Sequence, residues 1–250
     1  MQLNNKTIII TGASSGIGEA AAVLFASEGA NLVLGARREA LLSQLATKIN
    51  DSGGSAVFLA GDVREESFAA DLVELATAEF SGLDGAFNNV GMVGETVAVP
   101  DMETANWNDV IATNLTSAFF AAKHQIPALK RSGRGSILFT SSFVGYANAG
   151  MPGMGAYAAS KAGLIGLVKS LSAEHGGDGI RVNTLLPGGT RTAMAGDDRE
   201  IHDYVAGLHP LGRIADPAEI ADAALFLLSD RASFVTGSAM TVDGGISIRL

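Results

Sequence analysis

Several residue types are missing or scarce in this chain, and each absence excludes a kind of protein. Cysteine is absent, which rules out disulfides and thiolate metal sites. The four histidines show no His-x-x-x-His spacing, so we expect no bound metal. No apolar run approaches the roughly 20 residues that span a bilayer, and the N-terminus lacks the charged-then-apolar pattern of a signal peptide. We therefore expect a cytoplasmic protein without a membrane segment.

Positive charge is also scarce. The net charge is −9, and the densest basic cluster is Lys130-Arg131-x-x-Arg134, which is typical of the solvated end of a helix. A protein that binds nucleic acid needs a basic patch to neutralise phosphates. We therefore predict no nucleic-acid partner.

Apolar residues are plentiful and regularly arranged. They make up 47% of the 250 residues, which is enough for one large core and predicts a single domain over residues 1–250. Strand-like runs at 7–11, 31–35, 56–60, 85–88, 136–140, 181–186 and 238–242 alternate with helical patterns at 16–28, 40–50, 67–80, 107–130, 157–174 and 218–228. This alternation predicts an α/β fold, a doubly wound parallel sheet of Rossmann type with helices on both faces.

Residues 188–216 form the one long stretch in which the sequence predicts no regular element. A compact domain rarely keeps a loop of this length unless the loop is functional. We interpret it as a substrate lid. A disordered surface insertion is the alternative, which the charged segment 196–200 would also suit.

A glycine-rich turn follows the first strand. The sequence Gly12-Ala13-Ser14-Ser15-Gly16-Ile17-Gly18 stands between an apolar, β-branched run and a helical pattern. Glycines at such a junction permit a tight turn and let a phosphate approach the backbone at the helix N-terminus. The turn predicts a pyrophosphate-binding site, whereas a structural turn without a ligand is the alternative.

Tyr157 and Lys161 stand four residues apart in a predicted helix, so they share one face of it. A nearby ammonium favours the phenolate and thereby lowers the pKa of a tyrosine, which is about 10 when unperturbed. The pair makes Tyr157 a candidate proton donor. A surface pair without a function is the alternative.

Further motifs occur in order along the chain. They are Asp62-Val63, Asn88-Asn89-Val90-Gly91, Asn114, Ser142, Pro187-Gly188 and Asp243-Gly244-Gly245. Together with the glycine-rich turn and the Tyr157/Lys161 pair, they resemble the short-chain dehydrogenase/reductase family over essentially the whole chain. The resemblance implies hydride transfer between a nicotinamide cofactor and a carbonyl compound or alcohol.

The resemblance also implies which residues bind the cofactor. The turn at the pyrophosphate consists of Gly12, Ser14, Ser15, Gly16, Ile17 and Gly18. The adenine is met by Asp62 and Val63, and the chain passes beside the cofactor at Asn89 and Gly91. The nicotinamide end is bordered by Tyr157 and Lys161, and its carboxamide is approached by Pro187, Gly188, Thr190 and Thr192. Without a ligand, Asp62 would instead cap the helix that follows it.

Arg37 and Arg38 favour NADP(H) as the cofactor. A ribose 2′-hydroxyl is usually bound by an acidic residue, whereas a 2′-phosphate needs a nearby arginine. In NAD-specific relatives an aspartate occupies the position of Ala36. Two cations at a helix start oppose the helix dipole, so an anionic ligand explains them better than solvation alone. At the position of Ser15, in contrast, some NADP-dependent relatives carry a second basic residue.

The resemblance implies four catalytic residues. Tyr157 protonates the developing alkoxide and Ser142 shares the hydrogen bond, with Ser141 as the fallback. Lys161 holds the nicotinamide ribose and lowers the pKa of Tyr157. Asn114 interrupts a helix and holds a water in a proton relay.

The leading hypothesis is an NADP(H)-dependent enzyme that interconverts a ketone or aldehyde with an alcohol. A 3-oxoacyl-thioester reductase and a non-catalytic NADP(H)-sensing regulator are the alternatives. We expect the lid, the segment 148–155 at the pocket mouth, and several apolar side chains to set specificity, namely Phe143, Tyr146, Met151, Met154 and Met194. Small residues on the helix at 157–174, together with the family resemblance, predict a homotetramer.

Overall fold

A parallel sheet of seven strands runs through the part of the chain that the structure describes. The computed structural model describes residues 1–147, 151–196 and 198–248. The strands are β1 (Thr7–Thr11), β2 (Asn31–Ala36), β3 (Ser55–Ala60), β4 (Gly85–Asn88), β5 (Gly135–Thr140), β6 (Ile180–Pro187) and β7 (Ala239–Val242). Every neighbouring pair is parallel, in the order β3-β2-β1-β4-β5-β6-β7. The sheet confirms the predicted α/β fold.

Helices cover both faces of this sheet. Within the described residues they are α1 (Gly16–Ser27), α2 (Glu39–Asp51), α3 (Glu66–Phe80), α4 (Thr104–Ile111), α5 (Ser117–Ser132), α6 (Gly155–His175), α7 (Arg199–Leu208) and α8 (Pro217–Leu228). One core contains α1, α2 and α8, and the other contains α3, α5 and α6. Because both faces are covered, β1 is buried at all five positions, which explains its unbroken apolar run.

The strand order reverses between β1 and β4, and this is where the predicted site residues meet. Thr11 at the end of β1 pairs with Asn88 at the end of β4, and Asn88 pairs with Phe139 of β5. Ligands of open parallel sheets bind outside the carboxyl ends of the strands at such a reversal. The fold therefore brings the glycine-rich turn, the segment after β4 and the end of β5 to one edge of the sheet.

Two elements differ from the prediction. The helix predicted at 107–130 is two helices, α4 and α5, joined by a π-helical turn at Ala112–Thr116. The stretch 188–216, predicted to lack regular structure, contains α7 and a 3₁₀ turn at Ala193–Ala195. Helix α7 has no buried residue, because its apolar side chains, Ile201, Tyr204 and Leu208, are exposed or only partly covered.

In the described ranges, none of the helices is long and apolar enough to cross a membrane. Over those same ranges, no group of three or more histidine, aspartate or glutamate side chains is placed to hold a metal ion.

Candidate active site

The glycine-rich turn has the backbone of an anion-binding loop. Gly12 and Gly16 have φ angles of 70° and 60°, a left-handed conformation that other residues rarely adopt. A Cβ on Gly18 would collide with the carbonyl oxygen of Gly12. Helix α1 begins after Ser15 without a side-chain cap, so its first N–H groups remain to be satisfied by another partner. This cradle fits the predicted pyrophosphate.

The side chains around this turn differ in what they face. Ile17 is partly buried and packs on the core beneath α1. Arg38 donates from its guanidinium to the hydroxyls of Ser14 at 2.9 Å and Ser15 at 2.6 Å. Arg37 is exposed. The cation that reaches the turn is therefore that of Arg38, which compensates for the uncharged Ser15.

Asp62 pairs with its neighbour Arg64 rather than capping a helix. Its carboxylate accepts from the Arg64 guanidinium at 2.7 Å and from the Arg64 main-chain N–H at 3.0 Å, whereas α3 begins only at Glu66. Arg64, with a smaller contribution from the charge of Arg37, holds the pKa of Asp62 below its usual range. The alternative that Asp62 caps the following helix is wrong. Val63 packs on the core, which leaves its main chain for a ligand.

The segment after β4 is tied to both neighbouring strands. The main-chain N–H of Asn89 donates to the Thr11 hydroxyl at 3.3 Å, and the Thr140 hydroxyl donates to the Asn89 side-chain oxygen at 2.9 Å. A Cβ on Gly91 would lie 3.0 Å from the Lys161 ammonium nitrogen. Gly91 thus lies beside Lys161, whereas the implied passage of Asn89 and Gly91 beside the cofactor stays a prediction.

Tyr157 and Ser142 form the polar centre of the site. Both side chains are buried. Burial raises the pKa of the Tyr157 phenol above its usual value, and a hydrogen bond with Ser142 opposes that shift. The adjacent Ser141 donates instead to the main-chain oxygen of Lys161 at 2.7 Å. The structure therefore favours Ser142 over Ser141 as the partner of Tyr157.

Lys161 is buried directly behind the tyrosine. Its ammonium donates to the Thr140 carbonyl oxygen at 2.7 Å and lies 5.7 Å from the centre of the Tyr157 ring. Burial lowers the pKa of Lys161 to about 7. The expectation that Lys161 lowers the pKa of Tyr157 is wrong for this structure, because burial outweighs other effects on the phenol and the ammonium points at a carbonyl group.

Asn114 lies in the π-helical turn and is buried. Its side-chain oxygen accepts from the Met92 N–H at 2.8 Å, and its amide donates to the Met92 carbonyl oxygen and the Ser160 hydroxyl, each at 2.9 Å. The helix interruption predicted at this residue is present. The side chain positions the segment after β4 against α6, and its part in a water relay stays a prediction.

The segment after β6 borders the glycine-rich turn. It starts at Pro187, the last residue of β6. Gly188 donates to the Val242 carbonyl oxygen at 3.1 Å, and the Thr190 hydroxyl donates back to Gly188 at 3.0 Å. A Cβ on Gly16 would lie 3.0 Å from the Thr192 methyl carbon. Thr192 is thus placed directly over the turn predicted to hold the cofactor.

Tyr157 belongs to an apolar cluster. Its buried members are Phe143, Val144, Tyr157 and Ile246, and Val93, Met151, Met154, Ala158 and Leu208 pack against it. Of the side chains predicted to set specificity, Tyr146 and Met194 are 66% and 54% exposed, and residues 148–150 lie outside the described residues. The sequence offered no signal for Val93, Leu208 or Ile246, which come from three separate segments.

Comparison with known proteins agrees with this geometry. A family model described as enoyl-(acyl carrier protein) reductase matches residues 12–247. The chain is 39% identical to the 2,5-dichloro-2,5-cyclohexadiene-1,4-diol dehydrogenase of Sphingobium indicum, with 98% of each chain covered. It is 36% identical to the cyclohexanol dehydrogenase of an Acinetobacter species, with 97% of this chain and 95% of that one covered.

Two further similarities extend this set. The chain is 39% identical to the 3-oxoacyl-(acyl-carrier-protein) reductase of Chlamydia trachomatis, with 98% of each chain covered. The crystal structure of levodione reductase matches with a TM-score of 0.94 at 29% identity and covers 99% of this chain and 100% of that one. The match to the family model and the near-complete alignments show that the chain belongs to the short-chain dehydrogenase/reductase family, as an oxidoreductase that uses a nicotinamide cofactor.

Proposed function

We propose that this chain is an NADP(H)-dependent oxidoreductase that interconverts a cyclic secondary alcohol and the corresponding ketone. The observation that carries the proposal is the burial of the Tyr157 and Ser142 side chains together, with Tyr157 in an apolar cluster. Two relatives are named for cyclohexanol and a cyclohexadienediol. A pocket with apolar walls and one polar centre suits a carbon ring that carries a single reacting oxygen.

The mechanism follows from what the reacting oxygen needs. A carbonyl oxygen gains negative charge as its carbon accepts a hydride, so it requires hydrogen-bond donors and a proton. When bound, the reduced nicotinamide supplies that hydride. Burial raises the pKa of Tyr157, so its phenol stays protonated at neutral pH and donates to the oxygen. Ser142 shares the hydrogen bond, and we expect the Lys161 ammonium to hold the cofactor ribose.

The choice of NADP(H) rests on three neighbouring residues. Ala36 has no carboxylate to accept from a ribose 2′-hydroxyl, and two arginines follow it. Arg38 already bonds the hydroxyls of Ser14 and Ser15, and exposed Arg37 is free to turn toward a 2′-phosphate. We expect a higher kcat/KM with NADPH than with NADH.

Steady-state kinetics with both cofactors tests this choice. Arg37→Ala and Arg38→Ala should each raise the KM for NADPH and leave that for NADH nearly unchanged, because only NADPH carries the extra phosphate. Arg131→Ala, at the far end of α5, is the matched control. A preference of the wild-type enzyme for NADH would refute the cofactor proposal.

The substrate class is tested with a panel of ketones. Cyclohexanones should be reduced with a higher kcat/KM than open-chain ketones of equal carbon number. Tyr157→Phe should lower kcat by about 100-fold or more, the usual contribution of a general acid, without changing NADPH affinity. Tyr146→Phe, whose ring is 66% exposed, is the control. Near wild-type kcat in Tyr157→Phe would show that another group supplies the proton.

A 3-oxoacyl-thioester reductase is the second candidate. The 39% identity to such an enzyme favours it, whereas the net charge of −9 disfavours an acidic carrier protein as the partner. Acetoacetyl thioesters assayed beside cyclohexanone decide between the two. The non-catalytic regulator is disfavoured because Tyr157 and Lys161 are both present and buried.

Three further properties belong to this proposal. Residues 188–216 act as a lid, since α7 ends at Leu208 in the apolar cluster around Tyr157. The chain folds as a single domain over 1–250 and assembles into a homotetramer. A cytoplasmic location stays a prediction that cell fractionation tests.

A further inference from the structure

His209 follows the last residue of α7 and is buried where three segments meet. Only 2% of it is exposed. Its Nδ1 lies 2.7 Å from the carbonyl oxygen of Val205 in α7, and its Nε2 lies 3.0 Å from the main-chain nitrogen of Gly189. The ring therefore bridges α7 and the segment after β6.

These two partners fix the proton on the ring. The Val205 carbonyl can only accept, so Nδ1 must carry the hydrogen. The Gly189 N–H can only donate, so Nε2 must be the acceptor. His209 thus donates to the helix and accepts from the segment after β6.

The packing around the ring leaves no space for another side chain. A Cβ on Gly188 would lie 2.7 Å from Nε2 of His209 and 2.8 Å from Cα of Asp243. A Cβ on Gly189 would lie 2.6 Å from the Val205 side chain. Helix α7 therefore rests directly on the backbone of the segment that also carries Thr192.

The residue before His209 lies on the substrate side. Leu208 packs against the apolar cluster that contains Tyr157. A displacement of the end of α7 would therefore move both the pocket wall and the support of residues 188–192. Neither consequence requires a change in Ser142, which follows β5, or in Tyr157 and Lys161, which lie on α6.

We propose that His209 is a positioning residue that fastens α7 to the main chain at Gly189, so that the pocket wall at Leu208 and the segment 188–192 are set as one unit. The assignment of 188–192 to cofactor binding rests on the proposed function. The attachment of α7 to Gly189 does not depend on it.

The test compares two side chains of equal length at this position. In His209→Gln the side-chain oxygen stands as many bonds from Cα as Nε2 does, so it can accept from Gly189. His209→Met has the same length without that acceptor. His202→Met is the matched control, because His202 lies on the same helix and its Nε2 has no hydrogen-bond partner among the described residues.

The first measurement is hydrogen–deuterium exchange of residues 199–208 without added cofactor or substrate. His209→Met should exchange there at least about fivefold to tenfold faster than wild type, because it loses the bonds to both Val205 and Gly189 and the loss of one buried hydrogen bond already implies a change of that size. His209→Gln should stay close to wild type, and so should His202→Met. Equal exchange in the Met and Gln variants, or no increase in the Met variant, would overturn the proposal.

A second variant keeps the test decisive if His209→Met does not fold. Gly189→Ala retains His209 but adds a methyl group 2.6 Å from the Val205 side chain, and it should also accelerate exchange in α7. Unchanged exchange in Gly189→Ala would contradict the seating of α7 on this segment.

Kinetics then connect the attachment to the reaction. In His209→Met the KM values for NADPH and for the ketone should both rise by about tenfold with kcat within about threefold of wild type, since the acid and its partners are held elsewhere. His209→Gln should restore both KM values. A loss confined to kcat would overturn the positioning role. If wild type reduced no ketone with NADPH, the proposed function would fail while the exchange experiment still decided the attachment.

Discussion

We expect Lys161 to make the stability of this protein depend on pH. Burial lowers its pKa to about 7, whereas lysine in an unfolded chain titrates near about 10.4. Between these values the unfolded chain binds more protons than the folded one, so the contribution of Lys161 to the free energy of unfolding rises with pH. Below about pH 7, Lys161 is protonated in both the folded and the unfolded chain. The folded state then carries the full free-energy cost of burying the ammonium.

We predict that Lys161→Met raises the free energy of unfolding relative to wild type most at low pH, and that this gain shrinks as pH rises. The change should amount to several kcal/mol, at about 1.4 kcal/mol per pKa unit. The lost hydrogen bond to Thr140 shifts the difference in unfolding free energy by the same amount at every pH. The test is therefore how this difference changes with pH. Denaturant unfolding of both proteins from about pH 6 to about pH 9.5, without added cofactor, measures it. A difference independent of pH would contradict the lowered pKa.

Ser141 and Ser142 show what a motif leaves open at the scale of single residues. Both serines are buried at the end of β5, and spacing alone does not separate them. Neighbouring side chains of an extended segment point to opposite sides, so one serine reaches Tyr157 and the other reaches the Lys161 main chain. Only the contacts in the folded structure show which serine is the partner of Tyr157.

These serines give a matched pair of variants. Ser142→Ala should lower kcat by about 100-fold, the cost of one donor to a developing oxyanion, and it also removes the acceptor of the Val144 main-chain N–H at 3.2 Å, so a loss of stability alone does not separate it from Ser141→Ala. Ser141→Ala should lower the free energy of unfolding by about 1–3 kcal/mol because it removes the donor to a buried carbonyl oxygen, with a much smaller loss of kcat. Kinetics and denaturant unfolding of both variants distinguish the effects. If Ser141→Ala caused the larger loss of kcat, Ser141 and not Ser142 would be the partner of Tyr157.

At the scale of elements, the sequence predicts what local burial determines and misses what distant contacts determine. The strands are recognisable because parallel strands buried on both faces form apolar runs. The π-helical turn is different, since Asn114 is held by Met92 and Ser160, which stand 22 and 46 residues away. Helix α7 is missed because its helical spacing of apolar residues, at Ile201, Tyr204 and Leu208, recurs over only ten residues.

The π-helical turn should therefore depend on Asn114. Asn114→Ala leaves the N–H of Met92 without its buried partner, which should cost about 1–3 kcal/mol of unfolding free energy. Asn108→Ala, at an exposed position of α4, should cost much less and serves as the control. Denaturant unfolding measures both. Equal effects would show that the contacts of Asn114 do not stabilise the turn.

At the scale of the whole molecule, the cofactor side of the site was easier to predict than the substrate side. The residues predicted to bind the cofactor lie in short motifs at strand ends, where a glycine is required by backbone geometry, as at Gly16 and Gly18. The pocket wall is assembled from Val93, Leu208 and Ile246, which no motif connects. Substrate class therefore had to be inferred from the folded site and from relatives.

The outer surface of α6 offers a site for self-association. Ala159, Ala162 and Gly166 are exposed on this helix. Gly163 has a different role, because a Cβ there would lie 2.8 Å from the Leu115 side chain of the same molecule. On the neighbouring helices, Trp107 in α4 is 40% exposed and Phe119 in α5 is 51% exposed. Exposed aromatic side chains beside small residues are typical of a surface that another subunit covers.

We predict that wild type is a homotetramer and that Ala162→Arg dissociates it into smaller species, because a long charged side chain prevents close approach of two α6 helices. The change lies on the exposed side of α6, so the circular dichroism spectrum should stay that of wild type. Thr47→Arg, at an exposed position of α2 on the other face of the sheet, should leave the tetramer intact. Light scattering coupled to size exclusion at micromolar concentration measures all three proteins. A monomeric wild type, or a tetramer that Ala162→Arg leaves unchanged, would show that α6 does not join the subunits.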